Sequence, residues 1–216
     1  MASEQPLRAD ARRNRDRLLV ATRTLLAQRG TAVSMDEIAR TAGVGSGTLY
    51  RHFPDRTRLL TAVLADRIQT VIEAIEAAAD IEDPEVALRT ALHEFGSVVA
   101  ADRAVTELLI AEHVVELPDN DALQVRALEL LEGIVARAHA AGVLRTDIAA
   151  TDLPPLIVAA VRAPLPGLGD TEDPDLWERY LQVISDGLRP SAASTPLPHH
   201  APPMPGLSRD QTRDAG

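Results

Sequence analysis

Apolar residues recur at steps of three and four along most of the chain, and this spacing constrains the fold more than any other feature. The stripes lie at 18–26, 60–75, 88–99, 109–117, 123–138 and 176–188. A period close to 3.6 residues places each stripe on one face of a helix. No segment shows the strict alternation of a half-buried strand. The sequence therefore predicts an all-α protein.

Helix boundaries are marked by capping residues. Asp83 and Asp173 each precede a proline, an arrangement that places a capping carboxylate before a proline at the first helical position. Gly30 and Gly142 follow the last turns of two stripes, where a left-handed residue ends a helix. These signals predict helices that start near 84 and 174.

Charge is distributed unevenly. Residues 1–67 hold 12 arginines against seven carboxylates, a balance of +5, whereas residues 68–216 hold ten arginines against 25 carboxylates, a balance of −15. Such asymmetry indicates an anionic partner for the N-terminal end alone. A solvated basic face is the alternative reading of the same charges.

Several classes of protein are excluded by what the sequence lacks. The chain has no cysteine, which excludes disulfides, thiolate catalysis and cysteine-ligated metal. No segment resembles a signal peptide, and the most apolar run, 156–161, is too short to span a bilayer. We therefore expect a cytoplasmic protein without a membrane partner. The proline-rich residues 190–216 are predicted to be disordered.

The segment GVGSGTLYRHFPDR, residues 43–56, contains three glycines within five residues. Ser34 to Glu37 fits a capping box that starts a helix just before it, and Gly43 breaks that helix. The apolar pattern resumes at Leu49, so the two short helices form a helix-turn-helix. A phosphate-binding glycine loop would follow a strand and end in Gly-Lys-Ser or Gly-Lys-Thr, and neither condition is met.

The second helix of this motif carries hydrogen-bonding side chains without a carboxylate on its outward face. These residues are Ser46, Thr48, Tyr50, Arg51 and His52. Such donors suit phosphate oxygens and the edges of bases in a DNA groove. The motif therefore predicts a surface for double-stranded DNA.

The segment TAVSMDEIARTAGVGSGTLYRHFPDRTRLLTAVL, preceded by RDRLLVATRTLLAQRG, closely resembles the DNA-binding domain of the TetR family of bacterial repressors, over roughly residues 12–66. The resemblance implies one role for each matching residue. Thr48 and Tyr50 would contact DNA phosphates, and Ser34 and Arg40 would contact the DNA backbone. Arg56 would contact a further phosphate at the N-terminus of the next helix. The major groove would face Ser46, Gly47, Arg51 and His52.

The same resemblance implies the organisation of the chain. A flexible arm, 1–11, would precede the helix-turn-helix DNA-binding domain, 12–66, and a helical ligand-binding and dimerisation domain, 67–189, would follow. Helices near 151–162 and 173–188 would pack against their mates in a second copy as a four-helix bundle. Gly45 departs from the family pattern, because serine often caps the second helix there, and Ser46 stands where a basic residue is frequent.

Residues for regulation and assembly follow from the apolar stripes. A cavity for a small apolar effector would be lined by Phe95, Val99, Leu109, His113, Leu130 and Ile134. The dimer interface would include Trp177, Leu181 and Ile184, with an internal core as the equal alternative for Trp177 and core packing as the default for Phe95.

Histidine and glutamate residues in the second half do not form a catalytic or metal-binding pattern. His93, Glu94, Glu112, His113 and Glu116 lack the His-Glu-x-x-His spacing, so we expect no catalytic residue, no metal and no cofactor. The leading hypothesis is a homodimeric repressor of a palindromic operator, released by a small molecule. Its alternatives are a helical regulator controlled by a protein partner and an all-helical enzyme that uses these histidines and glutamates.

Overall fold

The computed structural model describes residues 4–29, 32–102, 121–163, 173, 175–192 and 195–202, with side chains from residue 10 onward. Within these ranges all regular structure is helical, which confirms the predicted all-α class. The helices are α1 (Glu4–Arg29), α2 (Met35–Thr41), α3 (Ser46–His52), α4 (Arg56–Ala79), α5 (Pro84–Ala101), α6 (Asp121–Ala140), α7 (Leu153–Arg162) and α8 (Leu176–Gly187). Short 3₁₀ turns occur at Ala150–Asp152 and Pro190–Ala192. No described helix has the length and apolar character needed to cross a membrane.

The described residues fall into two compact units, and the division comes after Asp66, inside α4. The first unit contains α1, α2, α3 and the beginning of α4. The second unit contains the remainder of α4 and helices α5 to α8.

The first unit is built on α1, which packs against α2 and α3. Leu18, Leu19 and Leu26 of α1 are fully buried, and Leu49 of α3 is buried completely among them. The buried hydroxyl of Thr22 donates to the Leu18 carbonyl at 2.7 Å. Helices of seven residues are marginal on their own, so α2 and α3 depend on this packing.

The second unit has one apolar core to which α4 to α8 all contribute. Its buried side chains include Ile75, Leu92, Leu131, Ile157 and Trp177. Helices α5 and α8 approach closely at Gly96, where an added Cβ would overlap the ring of Trp177. Glycine at position 96 therefore leaves room for the indole against α5.

The helix-end signals in the sequence have different outcomes. Asp83 Oδ1 accepts hydrogen bonds from the amides of Glu85 and Val86 and so caps α5. Gly142 ends α6 with a φ of +68°, as its position in the sequence predicts. Helix α8 begins at Leu176 instead of near 174, and Asp173 accepts from the Asp175 amide in the turn before it. Gly30 and the stripe at 109–117 lie outside the described residues.

Both ends of the chain contain more structure than the sequence predicts. Helix α1 begins at Glu4, inside the segment expected to be a flexible arm. At the other end, the Thr195 carbonyl accepts from Arg145 Nη2 at 3.0 Å, and the Leu197 amide donates to Asp147 Oδ2 at 3.0 Å. The first part of the proline-rich tail is thus bound to the loop after α6, because its backbone groups find charged partners there.

Candidate nucleic-acid interface

The helix-turn-helix begins with the capping box that the sequence predicts. The Glu37 amide donates to Ser34 Oγ at 3.3 Å, and the Ser34 amide donates to Glu37 Oε2 at 3.2 Å. This amide and the Arg29 guanidinium, 2.5 Å from the carboxylate, hold the pKa of Glu37 below its ordinary value. Ser34 is therefore engaged in starting α2.

The corner between α2 and α3 is made by Gly43, which has a φ of +64°. The Val44 amide donates to the Ala39 carbonyl at 3.0 Å and the Gly43 amide to the Arg40 carbonyl at 3.1 Å. These two bonds form a Schellman motif, in which a left-handed residue satisfies the last carbonyls of the helix. The glycine therefore serves the turn, as the sequence indicates.

Arg17 of α1 supports the same corner. Its Nη2 donates to the Gly43 carbonyl at 3.0 Å, and a Cβ at position 43 would lie 2.6 Å from that nitrogen. Arg17 thus has an intramolecular partner, which no local pattern reveals because the two residues are 26 positions apart.

One face of helix α3 is buried, and the opposite face is exposed. Leu49 is fully buried and Phe53 nearly so, and the guanidinium of Arg15 lies 5.9 Å from the centre of the Phe53 ring. Gly45 precedes the helix without a side-chain hydrogen bond. Ser46 Oγ donates to Asp36 Oδ1 at 2.9 Å, a bond between α3 and α2 that sequence reasoning missed.

The outward face of α3 is accessible to a large partner. Tyr50 is 47% exposed, Ser46, Gly47 and Arg51 are exposed, and Thr48 and His52 are half-buried. Arg40 of α2 is exposed as well, and neither Arg40 nor Arg51 has a hydrogen-bond or ion-pair partner among the described residues. The face thus offers guanidinium groups, hydroxyls and an imidazole together.

Arg56 and the start of α4 differ from the expected arrangement. Arg56 is half-buried, and its Nη1 donates to the Val33 carbonyl at 2.9 Å. Asp55 Oδ1 accepts from the Arg58 amide at 2.7 Å, so a carboxylate already occupies part of this helix N-terminus. A phosphate there would meet a terminus whose positive end is partly neutralised. Asp55, directly before the first residue of α4, is the sequence feature that could have indicated this neutralisation.

The residues expected to line an effector cavity are divided between core and surface. Val99 and Ile134 are buried in the apolar core, and Phe95 and Leu130 pack against it half-buried. Leu109 and His113 lie outside the described residues. A different cavity, of about 450 Å³, lies between α5 and α8. Most of the residues that line it are of polar or charged types, among them Arg89, His93, Glu178, Arg179 and Gln182.

The residues expected at a dimer interface differ in exposure. Trp177 and Leu181 are each only 5% exposed in the single chain, so they belong to its internal core, the alternative that the sequence left open for Trp177. Ile184 is half-buried. Val183, which sequence reasoning passed over, is 66% exposed. Helix α8 therefore has an apolar residue on a second face. Val183 does not belong to the apolar stripe that predicts this helix.

The histidine and glutamate side chains singled out in the sequence form no metal site where the structure describes them. In the part of the chain that the structure describes, no three histidine, aspartate or glutamate side chains are placed to hold a metal ion. His93 lies 3.6 Å from Glu178 and 3.5 Å from Glu94, and its ring centre is 5.5 Å from that of Trp177. Glu112 and Glu116 are outside the described residues.

Two protein families match this chain. Residues 18–63 match the family described as bacterial regulatory proteins, tetR family. Residues 83–190 match the family described as transcriptional regulator SbtR-like, C-terminal domain. The first match covers the helix-turn-helix, and the second covers most of the second unit.

Solved structures and curated relatives give the same result. A TetR transcription regulatory protein from Mycobacterium vanbaalenii is 34% identical, with a TM-score of 0.59, and the match covers 85% of this chain and 99% of that one. A TetR transcriptional regulator from Streptomyces coelicolor is 29% identical, with a TM-score of 0.58 and coverages of 82% and 99%. An HTH-type transcriptional regulator of Staphylococcus aureus is 36% identical over 77 residues, which is 34% of this chain and 40% of that relative. The chain thus spans about two fifths of this curated relative's length.

Proposed function

Because this chain belongs to the TetR family of DNA-binding bacterial regulators, we propose that it is a cytoplasmic, homodimeric repressor of a palindromic operator, released by a small molecule. The observation that carries the proposal is the open face of α3, where Arg51 and Tyr50 are exposed above the buried anchor Leu49. Among the described residues, no group of histidine, aspartate and glutamate side chains that could hold a metal ion accompanies it.

The exposed face supports a division between phosphate and base contacts. Tyr50 and Thr48, with Arg40 on α2, are proposed to bind phosphates, because hydroxyls and guanidinium groups make most backbone contacts to DNA. Arg51, His52, Ser46 and Gly47 are proposed to face the major groove, where arginine pairs with guanine O6 and N7. Ser34 and Arg56 would contribute backbone contacts beyond their intramolecular bonds.

Dimerisation is proposed to use the face of α8 that is not needed for the protomer core, together with α7. Val183 is exposed and Tyr180 and Ile184 are half-buried, so an apolar strip remains available on α8. Pairing two copies doubles the number of base pairs read and the number of phosphates neutralised. With Trp177 and Leu181 inside the protomer, we propose Val183 and Ile184 as the central contacts.

The effector is proposed to bind among Phe95, Val99, Leu130 and Ile134, together with Leu109 and His113. The half-buried Phe95 and Leu130 would form the entrance to an apolar site, and His113 would orient the ligand by a hydrogen bond. Release requires that the effector bind better to a form whose two reading helices are wrongly spaced for DNA. A thermal-shift screen of apolar metabolites identifies it, and unchanged affinity in both Phe95→Ala and His113→Ala would exclude this placement.

The direct test is a gel-shift with the DNA upstream of the protein's own gene, at low salt and with scrambled duplex as competitor. A retarded complex that resists the scrambled competitor is expected. Absence of a complex with every upstream fragment would refute the proposed function. Loss of the complex on addition of a screened effector would distinguish release by a small molecule from control by a protein partner.

A further inference from the structure

The hydrogen bond between Ser46 and Asp36 lies at the exposed N-terminal end of α3. The two residues are 10 positions apart in the sequence, and Ser46 Oγ donates to Asp36 Oδ1 at 2.9 Å. Both side chains are exposed. A Cβ placed on Gly45 or Gly47 would meet no atom within 4 Å, so the space around this pair is open to an approaching partner.

The direction of this bond determines what Ser46 can offer to another molecule. A hydroxyl has one proton and two acceptor lone pairs, and an ionised carboxylate has acceptors only. When Ser46 gives its proton to Asp36, the serine oxygen is left as an acceptor. The pair therefore presents acceptors and no donor at the start of α3.

Base pairs differ in the major groove by the donors and acceptors that they present. Adenine shows its N6 amino group and cytosine its N4 amino group as donors, whereas guanine O6 and N7 and thymine O4 are acceptors. A side chain that can only accept hydrogen bonds can therefore bind the amino group of adenine or cytosine. Facing guanine or thymine, it would place oxygen against oxygen or nitrogen, with an added carboxylate charge nearby.

We propose that Ser46 is a specificity-determining residue that selects the exocyclic amino group of adenine or cytosine at one position of each half-site, with Asp36 as the residue that orients its hydroxyl. The inference rests on the proposed function, because it requires α3 to enter the major groove. Asp36 acts through Ser46, so its removal frees the hydroxyl to rotate and to donate.

The experiment selects binding sites for the full-length protein from randomised duplexes and compares the wild type with Asp36→Ala and Ser46→Ala. The wild type is expected to select adenine or cytosine at one position per half-site, by about threefold to tenfold, the range of one net hydrogen bond. Both variants should lose this preference at that position and keep the others. The double variant should select the same bases as Ser46→Ala alone, because the two residues act as one unit.

Asp16→Ala is the matched control. Asp16 is an exposed carboxylate on α1, so its removal changes the net charge of the first unit by the same amount as removal of Asp36. This variant should shift affinity for all duplexes together and leave the selected bases unchanged. Thermal unfolding of each variant measures any purely structural role of the bond.

Two results would overturn the inference while leaving the proposed function intact. One is an unchanged base preference in Asp36→Ala and Ser46→Ala while Arg51→Ala alters a position, which would make the bond a tie between α2 and α3 only. The other is guanine or thymine at the position that Ser46→Ala relaxes. If the wild type selected no sequence at all, the proposed function and the inference would both be wrong.

Discussion

At the scale of single residues, the helix-turn-helix depends on one backbone conformation and a few side chains that hold it. Gly43 adopts a φ of +64° and accepts from Arg17, and Leu49 fills the space beneath α3. Tyr50 and Arg51 lie on the opposite, exposed face of the same helix, where a partner can reach them. Stability and binding can therefore be separated by mutation within one short helix.

Gly43→Ala should lower the free energy of unfolding by about 1–2 kcal/mol, because a left-handed conformation costs an L-residue that amount, and Arg17 must also move. Gly47→Ala is the control, since Gly47 lies within α3 where a Cβ meets open space. That control should be neutral or stabilising by up to about 1 kcal/mol. Denaturant titration measures both, and equal stability of the two variants would contradict the role assigned to the corner.

Arg51→Ala should relax base preference at one position per half-site by about 1–3 kcal/mol if the guanidinium pairs with guanine. Arg89→Ala, which removes an exposed charge from α5, should leave preference and affinity nearly unchanged. The measurement is titration against specific and scrambled duplexes at several salt concentrations. A uniform loss on both duplexes, with a salt slope reduced by about one, would show that Arg51 binds a phosphate instead.

At the scale of elements, α8 contacts the protomer core on one face and leaves apolar side chains on another. Trp177 and Leu181 pack against α5 and its neighbours in the core, so charge at either position would disrupt the protomer itself. Val183 has no such role because it is two-thirds exposed. It is therefore the position at which assembly can be tested without loss of the fold.

Val183→Lys should convert the proposed dimer into a folded monomer, because a buried unpaired ammonium is strongly unfavourable in an apolar interface. Gln182→Lys adds the same charge to the adjacent exposed position, where Asp186 already accepts from residue 182 at 3.0 Å, and should remain dimeric. Light scattering gives the mass and circular dichroism the helix content. A dimeric Val183→Lys variant would place the interface elsewhere.

The loop after α6 is a second element with a testable charge pair. Arg145 Nε and Nη2 lie 2.6 and 2.9 Å from the Asp147 carboxylate. Arg145, followed by the Leu197 amide, holds the pKa of Asp147 well below its usual range. The ionised Asp147 therefore contributes to the free energy of unfolding. This contribution is fully present above the ordinary aspartate pKa of about 3.9 and declines as the pH falls below that value.

Arg145→Gln should raise the pKa of Asp147 toward its ordinary value, as measured by NMR titration of the carboxyl carbon. Hydrogen exchange of the Leu197 amide should become faster in the variant at neutral pH, because Arg145 also donates to the Thr195 carbonyl. Arg126→Gln, which breaks a pair with Glu76 instead, should change neither quantity. An unaltered Asp147 titration would mean that the Leu197 amide alone lowers the pKa.

For the whole molecule, both the charge distribution and the proposed dimerisation bear on DNA binding. Residues 1–67 carry a balance of +5 and the remainder carries −15, so attraction to phosphates is confined to the part that contains the helix-turn-helix. One short reading helix covers few base pairs. The proposed dimer would therefore raise affinity for an operator by holding two such helices at a set spacing.

A palindromic duplex should bind two protomers, and a duplex with one half-site replaced by scrambled sequence should bind at least tenfold more weakly at the same salt. The gain comes from doubling both the base contacts and the released counterions. Native mass spectrometry measures stoichiometry, and fluorescence anisotropy measures affinity. In Val183→Lys the advantage of the palindrome should disappear, and equal affinities for the two duplexes in the wild type would contradict a dimeric reader.

Features that depend on residues close together in the chain could be predicted from the sequence. The period of the apolar stripes predicted the helices, the Ser34–Glu37 box predicted the start of α2, and Gly43 predicted the corner. Each of these signals works through hydrogen bonds or packing within about one helical turn. Local patterns therefore carried the fold class and the position of the motif.

Contacts between side chains far apart in the chain became visible only in the folded protein. Arg17 reaches Gly43, Ser46 reaches Asp36, Arg56 reaches Val33, and the indole of Trp177 lies against Gly96. Every one of these contacts joins residues at least 10 positions apart, so no periodicity or cap specifies it. The physical reason is that a side chain's partner depends on how separate helices pack, and packing is a property of the assembled core rather than of any one segment.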